Sequence, residues 1–109
     1  MRPNQKLYVV TRRDLIPGSQ AVQGMHALTE FSMYHRLKYE QWYRESNHLC
    51  FLSVASENDL GILCGKLFLE DVAHSTFREP DLGMSLTAIA IEATDRASEL
   101  VSELSLALR

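Results

Sequence analysis

Apolar and polar positions along the chain follow two different periods, and each change of period marks an element. Leu7-Tyr8-Val9-Val10 is a β-rich run, closed by the charged triplet Arg12-Arg13-Asp14 and the Pro17-Gly18 breaker. From residue 19 to about residue 38 the period becomes helical. Ala21, Met25, Leu28 and Phe31 recur on one side of an amphipathic helix whose start falls at Ser19. Residues 39–47 are polar and aromatic and read as a short helix followed by a turn. Residues 49–55 form the next apolar strand, after which Ser56 and Asp59 resemble a capping box opening a helix that ends near Glu70. A short strand around Ser75-Thr76-Phe77, a loop over residues 79–83 and an apolar strand over residues 87–91 follow. Thr94 or Asp95 caps a last helix that runs almost to the end, with Ala97, Leu100, Val101, Leu104 and Leu108 on one face.

Three of these strands are apolar on both faces, as strands covered by helices on both sides must be. The order β-α-(α)-β-α-β-β-α predicts an α/β fold. Its architecture is a three-layer α/β/α sandwich around a small mixed, mostly parallel sheet of about four strands. The last two strands are joined by too short a segment for a helical crossover, so one of them runs antiparallel to its neighbour. With 109 residues, 46% of them hydrophobic, residues 1–109 make a single domain. A domain of this size buries only part of its surface, which makes a homodimer the expected assembly. No run approaches the ~20 apolar residues that span a bilayer. The N-terminal residues lack the apolar core of a signal peptide, so a cytoplasmic, non-membrane protein is expected.

Cys50 and Cys64 form no CxxC pair and read as buried, reduced thiols. His26, His35, His48 and His74 are scattered, none at an i, i+4 spacing. Neither a metal site nor a cofactor is expected. The net charge of −3 argues against strong nonspecific nucleic-acid binding. Its distribution is uneven, however: residues 1–44 carry about +4 and residues 45–109 about −7. The basic half is either an ordinary solvated surface or a face for a phosphate-bearing partner.

Two segments carry the candidate chemistry. Ligands of open α/β sheets bind beyond the carboxyl ends of strands, where helix N-termini present free N–H groups. The first such junction holds Arg12, Arg13, Asp14, Gly18 and Ser19. From it runs a polar stripe, Ser19, Gln23, His26 and Glu30, on one side of the helix. Ser19 and His26 do not form a nucleophile–base dyad, because seven residues of helix separate them by ~10 Å. The second segment runs from Phe77 to Thr87 and contains Arg78, Glu79, Asp81, Gly83 and Ser85. It is either a plain turn or a loop that presents Glu79 or Asp81 as a general base.

Arg12-Arg13-Asp14-Leu15, the Pro17-Gly18 turn and Ala21-Val22-Gln23-Gly24-Met25-His26-Ala27 resemble the opening of the type 2 peptidyl-tRNA hydrolases. That family has an Arg-x-Asp-Leu element, a Gly-rich turn and a helix beginning Ala-Ala-Gln-x-x-His-Ala. Tyr39, Trp42 and Tyr43 match its aromatic connection in kind, and Ser85-Leu86-Thr87 matches its closing Ser-x-Thr strand. Two elements differ. Ser19 stands where the family has a lysine, and Glu79-Pro80-Asp81-Leu82-Gly83 replaces an Asp-Ala-Gly-x-Thr element. The resemblance implies hydrolysis of the ester between a peptide and the tRNA 3′ end. It also implies a catalytic group drawn from Ser19, Gln23, His26, Glu79 and Asp81, and tRNA contacts from Arg12, Arg13, Gly18, Arg78, Ser85 and Thr87. Glu79, Asp81 or His26 would activate water, and backbone N–H groups near Gly18 and Ser19 would face the oxyanion. Two other readings stand beside this one. One is a non-catalytic relative that binds RNA or a protein partner; the other is an enzyme acting on a small amide or ester.

Overall fold

Residues 1–109 are all described by the computed structural model. The first apolar run forms β1 (Lys6–Arg12), which pairs in parallel with β2 (His48–Val54) from Lys6↔His48 through Arg12↔Val54. Between them, α1 (Pro17–Tyr34) and α2 (Arg36–Glu45) cross over one face of the sheet, here called the front. From β2 the chain passes behind the sheet as α3 (Glu57–Leu69) and reaches the far edge as β3 (His74–Glu79). A single 3₁₀ turn at Pro80–Leu82 returns it as β4 (Ser85–Ile91), and α4 (Asp95–Leu100) and β5 (Ser105–Leu106) complete it. The sheet order is β3-β4-β1-β2-β5.

The fold is α/β with a mixed sheet, as the element order implied. The sheet differs in strand number and in balance. It has five strands, and β1–β2 is its one parallel pair, the other three being antiparallel. The cause is topological. β1, β2 and β3 point the same way, but β4 inserts between β3 and β1 and converts both of its ladders to antiparallel ones.

Three local expectations also change. Pro17 occupies the first turn of α1, where its missing N–H costs nothing, so the N-cap is Ile16 rather than Ser19. The inward face of α1 is Gln20, Gln23, Gly24, Ala27 and Phe31, whereas Met25 is 61% exposed. The last helix stops at Leu100, and the chain turns back to cover the outer edge of β2. There Ala107 N–H donates to Phe51 O (3.0 Å) and Ser53 Oγ donates to Leu106 O (3.3 Å). These bonds satisfy edge groups that a longer helix would leave open.

The caps of α3 and α4 follow the sequence reading: Ser56 Oγ accepts from Asp59 N–H (3.3 Å) and Thr94 Oγ1 from Ala97 N–H (3.1 Å). Cys50 and Cys64 are free but only half-buried, and burial pushes the Cys64 thiol pKa up. No helix is long and apolar enough to cross a membrane.

The sheet divides the core in two. Behind it, Val10, Leu52, Ile89 and Ile91 meet Leu60, Leu63 and Leu67 of α3 and Ala97 of α4. In front, Leu7, Val9, Ala88 and Ala90 meet Ala27 and Phe31 of α1 and Trp42 of α2. Gly24 lets α1 lie close to the sheet, since a Cβ there would stand 2.7 Å from the Phe51 ring.

Candidate active site

A β-bulge organises the front of the sheet near the C-terminal ends of β1 and β3. Phe77 pairs with Ala88 and Arg78 with Leu86, so Thr87 is the extra residue on β4. Simple alternation below the front-facing Ala88 would send Thr87 to the back and Leu86 to the front. The bulge reverses this phase. Leu86 joins the rear core, and Thr87, fully buried, points forward beneath α1.

Thr87 Oγ1 donates to Gln23 Oε1 at 2.6 Å, which fixes the amide so that Gln23 Nε2 donates to Glu79 Oε1 at 3.1 Å. Gln23 is 3% exposed, and the second turn of α1 carries it down onto the sheet. Thr11 Oγ1 donates to Thr87 O at 3.0 Å and ties β1 into the same array. Glu79, half-buried at the end of β3, is the member that meets solvent. One turn beyond Gln23, His26 stacks on Phe77 with ring centroids 4.2 Å apart and planes within 7° of parallel. At the start of α1, Gln20 N–H is the first amide to bond back, to Ile16 O (3.0 Å). Pro17 has no N–H, so the amides of Gly18 and Ser19 are the free donors of this helix end.

The structure thus brings Gln23, His26, Glu79 and Thr87 together, with Ser19 half-buried on the same helical side. Ser85 is the cross-strand partner of Glu79. The other candidates lie elsewhere. Arg12 Nε and Nη2 donate to the two carboxylate oxygens of Asp14 (2.9 Å each), and its Nη1 donates to Leu86 O (3.2 Å). Those hydrogen bonds hold the Asp14 carboxyl pKa below its ordinary value. Arg13 lies in a cleft of about 310 Å³ between α3 and the C-terminal segment, beside Asp59, Lys66 and Glu103. Arg78 borders a cleft behind the sheet with Glu57 and Asn58, because it is one residue out of phase with Phe77 and Glu79. Asp81 is exposed on the 3₁₀ turn, which Gly83 closes at φ 65°.

Sequence reasoning passed over Thr11, Phe77 and Glu57. Glu57 Oε2 accepts from Leu86 N–H at 2.6 Å and anchors the start of β4. Alternation along β3 marks Phe77 as sharing a face with Glu79, but nothing local marks the other two.

The fold and this array define a mixed-sheet α/β protein that presents an amide-held carboxylate at strand ends, a geometry suited to moving a proton to or from a bound water. Among known proteins, no family model matches the chain and no curated protein does.

Proposed function

We propose that this chain hydrolyses the ester joining a peptide to the 3′ end of tRNA, as the type 2 peptidyl-tRNA hydrolases it resembles do. The observation that carries the reading is the buried Gln23 amide, held by Thr87 and spending its N–H on Glu79. A glutamine beneath a helix is costly to bury unless both ends of its amide are used. Here both ends are used to aim a carboxylate.

In this reading Glu79 takes a proton from a water, which attacks the ester carbonyl. The tetrahedral oxyanion faces the free amides of Gly18 and Ser19. Collapse expels the ribose oxygen, which receives the proton from Glu79, leaving a free peptide acid and a tRNA hydroxyl. The proposed setting is the cytoplasm and the proposed assembly a homodimer.

One observation favours a second reading, a non-catalytic relative that binds RNA or a protein partner. No cation stands over the carboxylate: Ser19 replaces the family's lysine, Arg12 is engaged by Asp14, and Arg78 lies behind the sheet. Ester cleavage measured on an N-acetyl-aminoacyl-tRNA and on the unacetylated aminoacyl-tRNA separates the two. Hydrolysis of the acetylated form alone, falling about 10²- to 10⁴-fold in Glu79→Gln, supports the enzyme. Binding without cleavage supports the second reading.

A further inference from the structure

We propose that the stacked pair His26–Phe77 seats the purine base of the RNA's 3′-terminal nucleotide. This rests on the reading of Glu79 as the group that acts on an ester carried by that same nucleotide. The three other histidines each use a ring nitrogen within the protein. His35 Nε2 lies 3.1 Å from His74 O, His48 Nδ1 3.1 Å from Ser46 O, and His74 Nδ1 2.9 Å from Val72 O. His26 has only the stacking contact, and it is exposed. The inner ring, Phe77, is half-buried between β3 and the helix, so the pair is a flat π-surface with its inner side sealed and its outer side open to solvent.

Its position suits a nucleotide. Phe77 and Glu79 are two residues apart on the front of β3, a spacing of ~6–7 Å along the strand. The distance from a purine to an ester on its own ribose is of the same order. A base lying on His26 therefore sits on the same front face as the Glu79 carboxylate, with its ribose ester free to reach toward it. Stacking also supplies affinity where no cation does, because every base has a π-face and needs no charge to hold it. Binding of the terminal nucleotide should accordingly depend little on salt, in contrast to binding through phosphates.

The test uses an acceptor-stem RNA hairpin with 2-aminopurine as its 3′-terminal base, whose fluorescence is quenched on stacking. Turnover of N-acetyl-aminoacyl-tRNA is measured on the same preparations. The wild type is expected to quench the probe. His26→Ala is expected to lose the quenching and to weaken Kd about 5- to 150-fold, and His26→Phe or His26→Trp to restore both. Unchanged quenching and Kd in His26→Ala would overturn the seat. So would His26→Phe and His26→Trp that restore neither quenching nor Kd, because a ring nitrogen rather than the ring face would then be what binds. Quenched binding by a wild type that cleaves nothing keeps the seat and removes the hydrolytic reading. Turnover whose KM ignores His26→Ala does the reverse. A wild type that neither quenches nor cleaves removes both.

Discussion

The two faces of the sheet are built on different terms. Behind it, a cluster of thirteen buried residues is dominated by Leu, Ile and Val from β1, β2, β4 and α3. In front, the cluster has eight residues, four of them alanines (Ala27, Ala88, Ala90 and Ala93), and Thr11, Gln20, Gln23 and Thr87 are buried around it. Small side chains let α1 approach the strands closely enough for a glutamine to reach a threonine across the interface. The front thereby forgoes aliphatic area, worth roughly 25 cal/mol per Å² when buried, and holds a polar array instead. That array is complete, since no buried side-chain nitrogen or oxygen lacks a hydrogen-bond partner. One sheet therefore divides its labour: the rear face supplies cohesion and the front face supplies aim.

Substitutions on the two faces should separate these roles. Glu79→Gln has the largest expected effect on activity, the 10²- to 10⁴-fold loss given above, with little change in the urea midpoint. If the midpoint falls steeply as well, Glu79 is a structural member of the array. On the rear face, Leu67→Ala empties a fully buried site and should cost ~2–5 kcal/mol in urea unfolding. Activity per folded molecule should be retained, and a selective loss of activity would break the division.

Thr87→Val is the intermediate case, because it keeps shape and removes the hydroxyl that orients Gln23. It should cost ~1–3 kcal/mol, as a buried carbonyl loses its donor. It should also lower turnover although the carboxylate is untouched. A stability loss without a turnover loss would show that Gln23 does not need Thr87 to aim Glu79.

The smallest effect lies at the seam of the two faces, where Arg12 joins Asp14 to the start of β4. The Asp14 carboxyl is lowered by the hydrogen bonds from Arg12. Its contribution is therefore present above its unfolded pKa of about 3.9 and lost as pH falls through the lower folded value. Because Asp14 is 43% exposed, this contribution is at most about 1 kcal/mol. Urea melts at about pH 6 and pH 3 should show the wild type losing slightly more stability than Asp14→Asn.

The homodimer proposed from domain size would also sharpen the contrast. The front carries an apolar cleft of about 210 Å³ between α1 and the β2–β5 edge, with Met25, Leu49, Phe51 and Leu108 on its walls. The rear of the sheet is covered by α3 and α4, with the clefts that hold Arg13 and Arg78 at its borders.

What the sequence by itself determined was local. The apolar runs of β1, β2 and β4, the Ser56 and Thr94 caps, and the stripe bearing Gln23 and His26 all follow from short-range patterns, because spacing and capping chemistry act within a few residues. Glu79 and Asp81 were legible together for the same reason, as carboxylates between two strands, and the Gln23 contact that distinguishes Glu79 was not. Only the tertiary structure decided which neighbours those residues meet. The insertion of β4 between β3 and β1 set the strand directions, and pairing with β2 turned the C-terminal segment into β5. The bulge at Thr87 reversed the phase of one strand, brought a hydroxyl under Gln23 and sent Leu86 to the rear core. Arg78 fell behind the sheet by the same kind of one-residue phase. A polar residue such as Gln23 reads as surface until a partner is known, and its partners lie 56 and 64 positions away. Periodicity reports which side chains share a face; the cross-strand register decides what that face touches.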